Sequence, residues 1–475
     1  MIYPRSVVEL DGTTFMLVRD AEGKHLSIRG DARGFEGKSG AEGLFLGPLS
    51  RANAAALRDR LSWLRPVPLG LQKSAGFGDR LGPATPGHLR ATRAAGGIAP
   101  IVAQQSMREN VRTGRTPQQV MDDAMWGVFQ EGWREPWGAD ADHLKTTEDI
   151  DLCAAAGYTF FTIDPGDHVD SEADLSPAGD TEWLQRRLEG LPWRDLGGDA
   201  AQLRARYLGR QFGVEGFVLE LGAEALLRAA AKYGRAIAHT ARMYRHLVTV
   251  MGSRPFELEV SVDETATPTT PEEHLFIASE LARLGVRWVS LAPRYVGRFE
   301  KGVDYIGDLA EFASQLEKHA AIARVLGPYK LSIHSGSDKF TVYPFFAREA
   351  HELVHLKTAG TSYLEALRTI AGVDPALFRQ ILAFGRDCYE RDRATYHVSG
   401  ELSRVPAPES LADGQLAGFL DLFDARQVLH VTFGSALERF GREILAVLAA
   451  HEEAYYAALE THFARHLAPF AESAS

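Results

Sequence analysis

From about residue 66 onward, short apolar runs alternate with longer stretches in which apolar positions recur every three or four residues. That alternation predicts βα units wound around a parallel sheet. The runs fall at 68–72, 98–104, 138–142, 158–163, 256–261, 286–291, 329–334 and 353–357. Eight parallel strands close a (β/α)8 TIM barrel, and polar residues cluster just after these runs, where such a barrel carries its active-site loops. Ahead of the barrel, 6–10 and 14–18 alternate as strands do, with Asp11-Gly12 between them as a hairpin turn, and 50–64 reads as a helix. The predicted organisation is α/β: an N-terminal β extension over 1–65, a catalytic barrel over 66–360, and a helical C-terminal extension over 361–475. Between the fourth and fifth strands an insertion of about 166–250, helical from Ala223 to Val250, is long enough to carry its own structure and cover a site.

Composition narrows the function classes. The 475 residues carry a formal net charge of -11, so the whole-chain field favours neither nucleic acid nor an anionic membrane as partner. A small-molecule substrate, in a homo-oligomer or alone, is the expected partner. The two cysteines, Cys153 and Cys388, can build neither a disulfide framework nor a metal knuckle. No 18-residue apolar stretch and no leader-like N-terminus is visible, which makes the cytoplasm the expected compartment.

The candidate chemistry sits at the strand ends. Gly138-Ala139-Asp140-Ala141-Asp142-His143-Leu144-Lys145 places acids, an imidazole and an ammonium at the end of a small-residue run, a density that is costly unless chemistry or a metal uses it. Asp164 ends the next strand. On the fifth, Glu257, Glu259 and Ser261 share the face that points into the barrel. His143 and His334, from strands three and seven, face one another across the mouth, and imidazole with carboxylate suits a divalent cation such as zinc, manganese or nickel. The third ligand stays open between His355, next to His334 if strands seven and eight are neighbours, and Glu259 or Asp263. Gln104, Arg108, Asp164 and Lys357 are candidate substrate contacts. Arg108 would act as a two-pronged carboxylate clamp, although an arginine run such as Arg108, Arg112 and Arg115 also reads as a solvated helix face.

Two short patterns compete. His351-Glu352-Leu353-Val354-His355 fits the H-E-x-x-H spacing of zinc peptidases, but its histidines straddle a helix end and a strand instead of sharing one helical face. Gly76-Phe77-Gly78-Asp79-Arg80-Leu81-Gly82 looks like a phosphate-cradling loop without the Walker lysine, and reads as a tight βα turn in which Asp79 and Arg80 could touch substrate.

Longer motifs carry a family resemblance. GFGDRLGPATPGHLR from Gly76, AQQSMREN from Ala103, RTGRTPQQVMDDAMWGVFQE from Arg112 and GADADHLKT from Gly138 resemble the tagaturonate epimerase family, over most of the chain. The resemblance implies interconversion of D-tagaturonate and D-fructuronate with a divalent metal, and relatives acting on tagatose and fructose. It implies Asp142 as an acid/base beside the metal-binding His143, Glu259 as the second acid/base, and His334 as a further ligand. The inverted carbon lies β to the ketone, where the carbonyl does not acidify its hydrogen, so a retro-aldol cleavage and re-addition assisted by two carboxylates fits this chemistry. Transient oxidation is the rival route, and no dinucleotide fingerprint is present. A metal-dependent sugar aldolase or isomerase on the same barrel and a non-catalytic sugar-binding barrel are the alternative functions.

Overall fold

The computed structural model describes residues 1–40, 43–175, 180–358 and 360–471. Residues 41–42, 176–179, 359 and 472–475 lie outside the described residues; they fall in the predicted N-terminal extension, the insertion, the loop after the eighth strand and the C-terminal extension.

Eight strands form a closed barrel: β1 (Ser74–Gly76), β2 (Ala99–Ser106), β3 (Gly138–Leu144), β4 (Phe160–Ile163), β5 (Glu257–Ser261), β6 (Ser290–Ala292), β7 (Lys330–Ile333) and β8 (Val354–Lys357). Every neighbour in chain order pairs in parallel, and β8 returns to β1 through His355↔Ser74 and Lys357↔Gly76. This is the predicted TIM barrel. Almost every strand residue is buried, as expected where helices cover the outside and side chains fill the inside.

One strand differs from expectation. The apolar run at 68–72 is not β1; β1 is the small-residue segment Ser74–Gly76. Leu69 is buried with Ile101 and Phe160, so this run closes the floor of the barrel, and small residues in β1 leave no apolar alternation to read.

The N-terminal residues build a five-stranded antiparallel sheet in which Val8–Leu10 pairs with Thr13–Asp20 across Asp11 and Gly12. Both turn residues have positive φ, 50° and 74°, the requirement of a two-residue hairpin loop whose twist matches its strands. The 50–64 prediction resolves into the helix Arg51–Arg60, capped by the Ser50 hydroxyl, and a 3-10 turn Ser62–Leu64.

The insertion contains helices Thr181–Glu189 and Ala200–Tyr207, a two-stranded hairpin (Gln211–Val214 with Phe217–Glu220) and the long helix Ala223–Met251. Buried Lys232 on the long helix pairs with Asp174 of the insertion's own turn Ser171–Leu175 (2.7 Å) and ties the helix to the barrel layer through Glu273 on the helix Pro271–Arg283 (3.2 Å).

After β8 the chain is helical. Helix Glu452–Leu467 lies so close against the barrel helix Thr85–Ala95 that a Cβ at Gly87 would stand 2.6 Å from Leu459. Helices Phe423–Val431 and Phe433–Ala450 bring His430 and Phe433 against the loops above β1 and β8. Cys153 and Cys388 are free and buried. Among the described residues no helix is long and apolar enough to cross a membrane.

Candidate active site

Lys357, the last residue of β8, is the hub of the barrel interior. Its register partner Gly76 has no side chain, and a Cβ there would stand 3.2 Å from Gln104 Cγ. The Lys357 ammonium lies 2.7 Å from each of four oxygens: Asp140 Oδ2, Asp142 Oδ1, Glu259 Oε1 and Thr162 Oγ1. Three N–H groups cannot serve four oxygens, and Asp140 Oδ2 is left without a hydrogen bond. The charges follow. Burial and the neighbouring carboxylates of Asp142 and Glu259 push Asp140 up to about 7, against the pull of Lys357. Burial acts on Asp142 too, yet Lys357, His143 and His334 hold it well below the usual carboxylate range. Burial opposes a charged Lys357, and the three carboxylates overcome it and keep the ammonium protonated.

Asp142 and His143 are adjacent, so strict strand alternation would send one of them away from the mouth. Instead β3 shifts register between Ala141 and Leu144, and His143 takes φ 52°, a left-handed conformation rare for a non-glycine residue. Both side chains thereby reach the mouth. The His143 and His334 rings stand edge to face, 5.1 Å between centroids. His143 Nδ1 is held by Asp164 Oδ2 at 3.1 Å, and Nε2 lies 3.9 Å from Asp142 Oδ1, too far for a hydrogen bond. His334 Nε2 meets Glu259 Oε1 at 2.6 Å, and Nδ1 lies 3.1 Å from Asp263. Burial lowers both imidazoles, but Asp142, Glu264 and Asp164 carry His143 up to about 10, and Asp263 and Glu259 carry His334 up to about 9. The field here favours positive charge.

Asp142, His143 and His334 each offer one ligand atom, all within 4.8 Å of one another. A second such group, Asp338, His462 and His466, is buried between the loop after β7 and the helix Glu452–Leu467. Two of its atoms are engaged, Asp338 Oδ2 accepting from Arg426 (2.7 Å) and His466 Nε2 accepting the Asp338 N–H (2.9 Å), while the buried His462 Nε2 has no hydrogen-bond partner among the described residues. A third, His143 with Asp164 and Glu264, shares its imidazole with the first.

A cavity opens above Asp142, His143, His334 and Lys357, and Gln104, Arg108 and Arg80 also line it. Gln104 Nε2 donates to Asp142 Oδ2 at 3.0 Å. Arg108 is two-fifths exposed and pairs with Glu264 at 2.9 Å. The other predicted residues lie outside this lining. Asp164 is buried behind His143. Glu259 is fully buried one layer below Ser261, its oxygens taken by Lys357, His334 and Ser290. His355 lies lower still in the barrel: Nδ1 bonds Ser74 Oγ at 2.9 Å and the ring stands 5.3 Å from Phe160. His351 caps the helix Tyr343–Ala350 while His355 is in β8, so the H-E-x-x-H spacing shares no helical face. In the glycine loop, Asp79 accepts the backbone N–H of Leu81, Gly82 and Ala84 and fixes the turn; Arg80 alone reaches the cavity.

Residues not singled out from the sequence complete the site. Asp140 and Thr162 complete the shell around Lys357, and inward alternation on β3 and β4 was the available signal. Lys301, on the segment between β6 and the next helix, and Tyr396, from the C-terminal helical region, also line the cavity. Neither carries a local motif.

A family model described as tagaturonate epimerase matches residues 3–470. The tagaturonate/fructuronate epimerase of Thermotoga maritima is 44% identical over 474 residues, 98% of this chain and 96% of that protein. The native crystal structure of fructuronate-tagaturonate epimerase UxaE from Cohnella laeviribosi superposes with a TM-score of 0.94 at 38% identity, covering 99% of this chain and 96% of that one. Its complex with one glycerol gives 0.93.

Proposed function

Because the chain belongs to the tagaturonate epimerase family, we propose that this epimerase interconverts D-tagaturonate and D-fructuronate by breaking and re-forming one carbon–carbon bond. The observation that carries the reading is the placement of Asp142, ionised and facing the cavity, beside two imidazoles that converge on the same space.

The donor set fits a divalent cation. His143 presents a free Nε2 because Asp164 holds its Nδ1, the carboxylate–histidine arrangement that orients metal-ligating imidazoles. His143 and His334 would hold the ion beside the Asp142 carboxylate, which is left to carry the proton, and zinc, manganese and nickel all suit such a site. When bound, such an ion would polarise the ketone and stabilise negative charge on its oxygen.

The chain's own residues handle the proton. With the ketone at C2, the inverted carbon is C4. Asp142 accepts the proton of the C4 hydroxyl, the C3–C4 bond breaks, and its electron pair moves into the C2 carbonyl to give an enediolate and a three-carbon aldehyde. Half a turn about C4–C5 presents the other aldehyde face. The enediolate carbon re-attacks, the carbonyl is restored, and the new alkoxide takes back the proton from Asp142. Lys357 and Gln104, bonded to the two Asp142 oxygens, orient the carboxylate and favour its ionised form. Glu259 acts by holding His334 and Lys357.

The test is a coupled assay of purified enzyme with D-tagaturonate, with and without chelator. The expected result is fructuronate formation that chelator abolishes and added zinc, manganese or nickel restores. No fructuronate at all sinks the epimerase reading, full activity in chelator sinks the metal, and stoichiometric free three-carbon products identify an aldolase instead.

A further inference from the structure

An epimerase that cleaves its substrate must keep both halves. If the aldehyde fragment leaves before re-addition, the reaction is an aldol cleavage. In a ketohexuronate that fragment carries the carboxylate, two carbons from the inverted centre. A half turn about C4–C5 leaves the carboxylate where it is, so anchoring it is compatible with inversion.

The cavity holds unmatched positive charge beside its reacting end. Besides Asp142, Lys357 and the two histidines, its charged lining residues are Arg80, Arg108, Lys301 and Glu109. Arg108 is spent on Glu264 at 2.9 Å. Arg80 is 4% exposed, and its Nε and Nη2 both donate to Glu109 Oε1 (2.8 and 2.6 Å), while Nη1 has no hydrogen-bond partner among the described residues. An unpartnered donor at that depth is costly unless a ligand meets it. The surroundings are built to hold this guanidinium. It stacks 3.6 Å from the Phe433 ring centre, and a Cβ at Gly360, where φ is 96°, would come within 2.7 Å of Nη2. Lys301 is half-buried and makes no ion pair among the described residues; its ammonium donates to Ser335 Oγ at 2.6 Å, next to His334. Three of its neighbours in the lining are thus one fixed arginine, one neutralised arginine and one carboxylate, leaving a single positive charge in excess.

We propose that Lys301, together with Arg80 Nη1, binds the carboxylate of the ketohexuronate and retains the aldehyde fragment between cleavage and re-addition. This rests on the epimerase reading above. Lysine supplies a point charge with rotatable donors that can follow a small displacement of the anion, and the immobile Arg80 fork sets its direction. The pair also distinguishes a uronate from a neutral ketohexose.

The test uses the full-length enzyme with Lys301→Met, with Arg80→Lys as a second variant and Arg294→Gln as a comparison, because Arg294 lines the adjoining part of the cleft. KM for D-tagaturonate is measured alongside KM, or the competitive inhibition constant, for D-tagatose and D-fructose. Released aldehyde is trapped as its hydrazone during turnover and quantified by mass spectrometry. Expected for Lys301→Met is a KM increase of about tenfold or more for the uronate, the scale of one charge-assisted hydrogen bond, with less than about threefold change for the neutral sugars. More aldehyde should also be trapped per epimerisation than with the wild type. Equal effects on uronate and neutral sugars would make Lys301 a structural residue and overturn the proposal. So would an unchanged uronate KM in Lys301→Met accompanied by a rise in Arg294→Gln. Absence of trapped aldehyde in every variant, with the uronate-selective KM change intact, would keep the carboxylate contact and remove the retention role. Wild-type enzyme that does not turn over tagaturonate at all overturns the epimerase reading itself, and this proposal with it.

Discussion

Asp142 and Glu259 touch the same ammonium, yet only Asp142 faces the cavity, and this difference separates their roles at the scale of single residues. Asp142→Asn is expected to lower turnover by about 10²-fold or more, as for loss of a general base. Glu259→Gln should lower turnover by a similar factor by a different route, because its oxygens hold His334 and Lys357, so metal retention should fall with activity. Metal content after gel filtration, by mass spectrometry, separates the two: retained metal in an inactive Glu259→Gln enzyme would make Glu259 a proton-transfer group. His143→Ala and His334→Ala should each lose both metal and turnover while remaining folded, read by circular dichroism. The carbon chemistry has its own readout. Bond cleavage leaves the hydrogen on C4 throughout, so epimerisation in D2O should give product without deuterium there. Stoichiometric deuterium at C4 would defeat the retro-aldol route and recast Asp142 as a carbon acid/base group.

At the scale of elements, the loop after β7 matters most, because it follows His334 and is held from three directions. Ser335 and Asp338 both have positive φ, 48° and 62°, conformations that persist only where surrounding structure over-determines them. Arg426 on the helix Phe423–Val431 pairs with Asp338, His466 on the helix Glu452–Leu467 takes the Asp338 N–H, and buried Lys339 donates to the carbonyls of Glu300, Val303 and Ser337. Arg426→Leu leaves a buried carboxylate without its partner, a change expected to cost about 3–5 kcal/mol. The expected outcome is a lowered unfolding midpoint and weaker metal retention, with Arg426→Leu/Asp338→Asn recovering part of both. Recovery of stability without metal retention would show that the loop position is not what Arg426 controls. The same scale shows what was legible in the sequence. Long apolar runs betray buried parallel strands, so seven of the barrel strands overlap their predicted positions, whereas β1, made of Ser74, Ala75 and Gly76, has no such run. Strand-end reading found Asp142, His143, His334 and Lys357 because a barrel presents its chemistry there. It could not find Lys301 or Tyr396, which reach the cavity, or Phe433, which backs the Arg80 guanidinium, because they arrive by long-range packing from loop and helical segments with no periodic signal. Nor could it foresee that Glu259 and His355, correctly inward by alternation, lie one layer or more below the cavity, since alternation gives the face and not the depth.

Across the whole molecule, many histidines are buried far from the cleft. His88, His274, His319, His462 and His466 are all nearly inaccessible. Burial is the first cause in each case: it holds His88 and His466 down to about 3, His319 and His462 down to about 4, and His274 well below the usual imidazole range. In the unfolded chain each would titrate near about 6.5. Above that pH both states are neutral at these positions and nothing is lost. Between about 6.5 and the folded values, the unfolded chain takes up protons that the folded protein refuses, so each group removes about 1.4 kcal/mol of stability per pH unit. Asp140, raised to about 7, Asp123, raised by burial to about 6, and Glu257, Glu273 and Glu365, raised in the same direction by burial, work oppositely, because their folded forms take up protons earlier than the unfolded chain does. The five imidazoles, joined by His239, His355 and His430, which burial lowers in the same way, outweigh these five carboxyls in the upper part of the window, where the unfolded histidines are already titrating. The midpoint of thermal unfolding, taken at one scan rate, should therefore fall steadily from pH 7 to pH 5. His462→Asn removes one of the refused protons, so its midpoint should decline less steeply than that of the wild type even if it starts lower. Parallel declines for the two proteins would show that His462 takes up its proton in the folded state, and a flat wild-type profile would show that the buried imidazoles as a group do so.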